Sequence, residues 1–354
     1  MTLLSEQVLH KKEAAGRSIN NAIFLFYILL FVEGILRKWV LPSLSSPLFF
    51  IKDPVLLYMY WVCWKNKLFP KTVLFQSSVI LALLYLLLSL TQMIIYTTPF
   101  VASVYGWRNY FMYMPLAFII QKHMTKKDLI RIAKFTCYIG IAIAILTYIQ
   151  FLNSPDAYIN NNAGENSGAS FTVIGDIVRP YGPFSFVSGM AFFTPSLLVM
   201  LLFNYFLPVK DRFLSGWMYV ICFFAFASNL AVSGSRGTYG NVVILVVSLI
   251  CGLLLFAHKQ KGIKSLFVII SIGSLALIIY SIVFSTQIDI INERFEVASE
   301  AEGSLASRYA TSFIRSEEIS ANLPVWGVGI GAGSAGANYL ATGVADFSIS
   351  ESDW

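Results

Sequence analysis

The sequence is dominated by apolar runs about as long as a bilayer is thick. A membrane-spanning helix needs roughly 20 such residues, because no water in the hydrocarbon core can satisfy its backbone. Nine runs qualify: residues 19–36, 48–64, 72–96, 104–120, 132–152, 183–207, 214–232, 238–257 and 265–286. Two of them, 48–64 and 104–120, are compromised by Lys52, Asp53 and Arg108 lying inside or beside them. Charged residues make up only 12% of the 354. Soluble domains carry about 25%, so this chain cannot clothe a water-facing surface. Disorder, fibrous repeats and nucleic-acid readout are excluded on the same ground. The expected fold is all-α: a polytopic transmembrane helix bundle over residues 1–286, with a loop at about 153–182. A long, partly helical loop segment follows over 287–354.

Basic residues set an expected orientation, since short cytoplasmic loops are enriched in Lys and Arg. With the N-terminus inside, the inner segments collect 16 of the 25 basic residues, among them Lys11, Lys12, Arg17, Lys65, Lys126, Lys127, Lys210 and Lys259, and only four acids. Both long loops then lie outside. The chain ends outside after an odd number of spans, and the sequence reads as a fragment lacking further helices. The first run is no cleavable signal, since Glu33 and Arg37 end it with no small-residue cleavage site. The four cysteines fall within spans and read as small apolar residues.

On this topology His10, His123 and His258 are all inside, so outer chemistry has no histidine base or ligand. Arginines gather outside instead. Arg179 precedes the sixth run in Val178-Arg-Pro-Tyr-Gly-Pro-Phe-Ser-Phe. Arg236 sits in Ser233-Gly-Ser-Arg-Gly-Thr-Tyr-Gly, between the seventh and eighth. Arg108 enters the fourth. An arginine near bilayer depth costs about 2.5–3.5 kcal/mol on insertion scales. Such a residue has a task, snorkels at the headgroups, or pairs with an acid such as Asp53 or Glu33. Gly234, Ser235 and Gly237 leave the backbone around Arg236 open to a ligand. Guanidinium groups bind phosphate oxygens bidentately and do not titrate away, so convergent outer arginines suit a lipid-linked pyrophosphate. Anionic headgroups ask for the same residues. The run Gly327, Gly329, Gly331, Gly333 and Gly336 reads as a loop, because no strand–turn–helix unit surrounds it.

Several motifs in order give the chain a family likeness. They are Glu33-Gly-Ile-Leu-Arg-Lys-Trp-Val-Leu-Pro, Lys52-Asp-Pro, Val104-Tyr-Gly-Trp-Arg-Asn, Gln150-Phe with Ile159-Asn, Arg179-Pro-Tyr-Gly-Pro-Phe-Ser-Phe, Ser233-Gly-Ser-Arg-Gly, Pro324-Val-Trp-Gly-Val-Gly-Ile-Gly and the closing Glu351-Ser-Asp-Trp. With them, nearly the whole chain resembles the O-antigen ligase and polymerase family, most closely its exopolysaccharide polymerase branch. The resemblance implies a glycosyltransferase of the bacterial inner membrane that needs no metal and no cofactor. It would transfer glycan from an undecaprenyl-pyrophosphate-linked donor to an acceptor glycan hydroxyl, working among membrane lipids and beside a chain-length regulator or other assembly proteins. Arg179 and Arg236 match the arginines that hold the donor pyrophosphate. The ligase branch places a histidine base in the last outer loop, and here the matching stretch ends in Glu351. Arg108, Asp53, Ser235 and Arg308 are further candidates for substrate contact, Arg308 also fitting a pairing with neighbouring glutamates. The rival function is a lipid-linked oligosaccharide or polysaccharide transporter, whose internal repeats are not found. A metal-dependent transferase would need acids in the first outer loop, 37–47, which has none.

Overall fold

The computed structural model describes residues 2–95, 99–163, 172, 177–256, 279–302, 323–327 and 329–332. Among them every regular element is helical, apart from an isolated antiparallel bridge between Thr172 and Val178. The helices are α1 (Thr2–Ile35), α2 (Ser45–Leu48), α3 (Asp53–Lys65), α4 (Val73–Ile95), α5 (Phe100–Trp107), α6 (Met114–His123), α7 (Lys126–Leu152), α8 (Val187–Phe206), α9 (Gly216–Val232), α10 (Arg236–Phe256) and α11 (Ser285–Glu302). Five segments are long and apolar enough to cross a membrane: His10–Val40, Val73–Ile95, Lys126–Leu152, Val187–Phe206 and Arg236–Leu255. Gly216–Val232 is apolar but shorter. The protein is therefore a multi-pass membrane protein, all-helical in its regular elements among the described residues.

Two of the nine expected runs are not continuous helices. Residues 48–64 break at 49–52, and the helix restarts at Asp53-Pro54. Residues 104–120 pass from α5 through a π-helical turn, Arg108–Met112, and restart at Met114-Pro115. Proline lacks an N–H and disfavours helical geometry in the residue before it, so both restarts sit where Pro falls in a first turn. Of the run 265–286, only residues 279 onward are among those described.

The chain divides into two compact units. One comprises Met1–Ile23, Leu56–Met124 and Ala298–Trp354; the other comprises Phe24–Val55 and Thr125–Val297. In the first, Trp107 Nε1 donates to the Ala82 carbonyl at 2.8 Å, and Tyr85 stacks on Phe111 at 4.5 Å. These contacts hold α4 against the broken α5–α6 segment. The described part of the glycine-rich stretch forms turns, and Gln92 donates to the Trp326 carbonyl.

In the second unit α7 packs along α9, and α8 along α9 and α10. The core joins Phe31 of α1 to Cys137, Ile143, Met190, Phe193, Leu197 and Phe226, all buried. Pro195 lies inside α8, where it removes the N–H that would bond the Ala191 carbonyl. Asn241 of α10 supplies a replacement, its Nδ2 donating to Ala191 O at 3.5 Å.

Candidate functional site

The second unit has one end at which α7 and α9 finish and α8 and α10 begin. Thr147, near the end of α7, donates to Asn229 Oδ1, near the end of α9, at 2.9 Å. Gln150, one turn further along α7, accepts from the Gly182 N–H at 2.9 Å and donates to the Ile159 carbonyl at 3.0 Å. Asn160 is held by three carbonyls, and Tyr181 donates its hydroxyl to the Asn160 carbonyl. Burial pushes the Tyr181 phenol above its ordinary pKa, so it stays a donor. These polar side chains pin the loop before α8 to the last turn of α7.

Arg179 stands in that pinned loop, half-buried, between Val178 and Pro180. Arg236 opens α10, also half-buried. Ser235 is 7% exposed and caps the helix, its Oγ accepting the Thr238 N–H at 3.4 Å. Of the turn expected to lie open around Arg236, Ser233, Gly234 and Ser235 are buried and Gly237 is exposed. Two buried polar atoms flank this turn without a hydrogen-bond partner among the described residues, Asn229 Nδ2 and Thr238 Oγ1. Buried polar groups rarely stay unsatisfied. Arg179 and Arg236 thus share one end of one unit, the second beside a helix N-terminus whose partial positive charge favours anions.

The same end carries charges that were not among the sequence candidates. α1 closes in a π-helical turn, Leu36–Val40, in which Arg37 and Lys38 are buried. Glu33 Oε1 accepts from Arg37 Nη1 at 3.0 Å, and its Oε2 lies 2.6 Å from Lys52 Nζ. Arg37 also donates to Ser185 Oγ at 3.0 Å and to the Ser45 carbonyl at 2.8 Å. Lys38 is 1% exposed. Its ammonium donates to the carbonyls of Gly182 and Phe184 at 2.5 and 2.8 Å and lies over the rings of Trp39 and Tyr181. Against this cluster lies a cavity of about 350 Å³, walled by Phe31, Phe184, Phe192 and Phe193, with Glu33, Lys52 and Ser185 among its polar lining. That volume lies within the range of small-molecule sites, about 300–1,000 Å³.

Compared with models of known protein families, with characterised proteins and with solved structures, the chain matches none.

Arg108 belongs to the first unit, is 4% exposed, donates to Asn109 Oδ1 at 3.0 Å and lies over the Tyr113 ring. Asp53 heads α3 in the second unit. Glu33, an acid that the sequence offers as a partner for an arginine near bilayer depth, is engaged by Arg37 and Lys52. Arg308 and Glu351 lie outside the described residues. Glu33 and Arg37 did carry a sequence signal, an acid four residues before a base on one helix face.

Proposed function

We propose that the protein is a membrane glycosyltransferase that polymerises or ligates polyprenyl-pyrophosphate-linked glycan on the outer face of the bacterial cytoplasmic membrane. The observation that carries this reading is the placement of Arg179 and Arg236 at one end of a single helical unit, beside a helix N-terminus. The motif resemblance to O-antigen ligases and polymerases supports it. So does the basic character of every inner loop, which on the nine-span reading favours that end outside and the N-terminus inside.

In the proposed mechanism the two guanidinium groups hold the donor pyrophosphate and stabilise the charge that builds on it as it leaves. The acceptor hydroxyl attacks the anomeric carbon directly, the bond to the pyrophosphate oxygen breaks, and the configuration inverts. Glu351 takes the hydroxyl proton. A carboxylate does this best when burial brings its pKa to about 6–7.

Arg236→Ala is expected to reduce transfer of labelled glycan by purified protein on the order of 100-fold, the scale of one lost oxyanion donor. Arg236→Lys is expected to recover only part, because an ammonium cannot bind bidentately. Normal polymer yield from either variant, at normal membrane level, ends the pyrophosphate role. Glu351→Gln is expected to keep donor binding while transfer stops; continued transfer removes Glu351 from the mechanism.

A further inference from the structure

We propose that Lys38 is a positioning residue: its ammonium fixes the turn at Tyr181–Phe184 and, through that turn, the placement of Arg179. The second half of this inference rests on the donor-binding role proposed above for Arg179.

Lys38 is almost fully buried, yet its partners among the described residues are two carbonyls and two ring faces, with no carboxylate. Burying a lysine head group without a counter-ion is expensive whether it stays charged or gives up its proton, and an apolar side chain of the same length would fill the space at lower cost. What an apolar side chain could not do is donate to both carbonyls.

Those carbonyls belong to a turn closed by the Phe184 N–H bonding to Tyr181 O at 3.0 Å. Gly182 in it has φ +54°, which L side chains rarely adopt. Its own N–H goes to Gln150. The N–H groups of Gly182 and Phe184 are therefore taken by Gln150 and Tyr181, and Lys38 takes the carbonyls of the same two residues. The turn's first residue, Tyr181, is 1% exposed and bonded to Asn160, and between it and Arg179 stands only Pro180, whose φ is fixed by its ring. A shift of the turn passes along this stiff link to Arg179. Misplacement by about 1 Å is enough to cost on the order of 100-fold in a catalytic site.

The test uses the full chain in lipid nanodiscs, with undecaprenyl pyrophosphate as the probe. Lys38→Met is expected to speed amide hydrogen exchange over residues 179–187 and to leave Gly216–Val232 unchanged. It is also expected to weaken probe binding on the order of tenfold, about 1.4 kcal/mol. Combined with Arg179→Ala it should bind no worse than Arg179→Ala alone, whereas combined with Arg236→Ala the losses should multiply. Lys38→Gln keeps an NH₂ able to donate to both carbonyls and should fall between wild type and Lys38→Met; it also serves if Lys38→Met does not accumulate. Unchanged exchange at 179–187 overturns the clamp. Losses that multiply equally with both arginine variants overturn the positioning of Arg179. If wild-type protein binds no probe, the donor reading fails by itself, and the exchange arm alone decides the clamp.

Discussion

Gly34→Ala is expected to leave little folded protein in the membrane. A Cβ at position 34 would stand 2.0 Å from the Pro183 carbonyl oxygen and 2.8 Å from the backbone of Phe184 and Ser185. All three obstacles are main chain, so no rotamer change relieves them. The loop they belong to is held by Arg37, Lys38 and Gln150 and cannot retreat without breaking those bonds. Overpacking that side chains can absorb costs about 1–3 kcal/mol; here the penalty should exceed that range. Gly16→Ala in the same helix is the control, since nothing lies within 4 Å of its Cβ, and it should gain about 1 kcal/mol from helix propensity. Thermal unfolding in detergent and membrane levels measure both. Equal behaviour of the two variants would contradict the close approach of α1 to the loop before α8.

The second large effect is expected from Glu33→Gln. One carboxylate serves two cations there, Arg37 at 3.0 Å and Lys52 at 2.6 Å, and the side chains of Glu33 and Arg37 are under 10% exposed. Removing one member of a buried ion pair leaves an uncompensated charge and costs about 3–5 kcal/mol. Lys52, 17% exposed, can reach water more easily, so most of the penalty falls on Arg37. Adding Lys52→Met to Glu33→Gln should therefore recover little. Adding Arg37→Met should recover more, because the buried charge is then gone. A Glu33→Gln protein as heat-stable as wild type would show that the cluster adds nothing to stability.

Six of the apolar runs fall largely within single helices, because length and hydropathy are local properties and a spanning helix has few other ways to satisfy its backbone, although the first of these helices begins at Thr2, well before residue 19. The runs 48–64 and 104–120 were harder to read. Lys52, Asp53 and Arg108 mark both in the sequence, but whether Pro54 and Pro115 kink a helix or start a new one depends on what the freed carbonyls meet. Arg179 and Arg236 stood out because each sits where an apolar run begins. Their shared end follows from the Thr147–Asn229 and Gln150–Gly182 bonds, which join residues far apart in the chain. Lys38 could not be found that way: its partners are backbone carbonyls, which every residue has.

The proline in α8 has a further effect on the two helices that begin at this end. α8 has Pro195 as its interior proline, so in mid-helix Ala191 is the carbonyl left open for a side chain from outside. Asn241 fills it, five residues after Arg236. Sliding α10 past α8 by one helical repeat, about 5.4 Å, would find no second notch of this kind. A gap in one backbone thereby works as a vernier mark, indexing the height of Arg236 against the helix that follows Arg179.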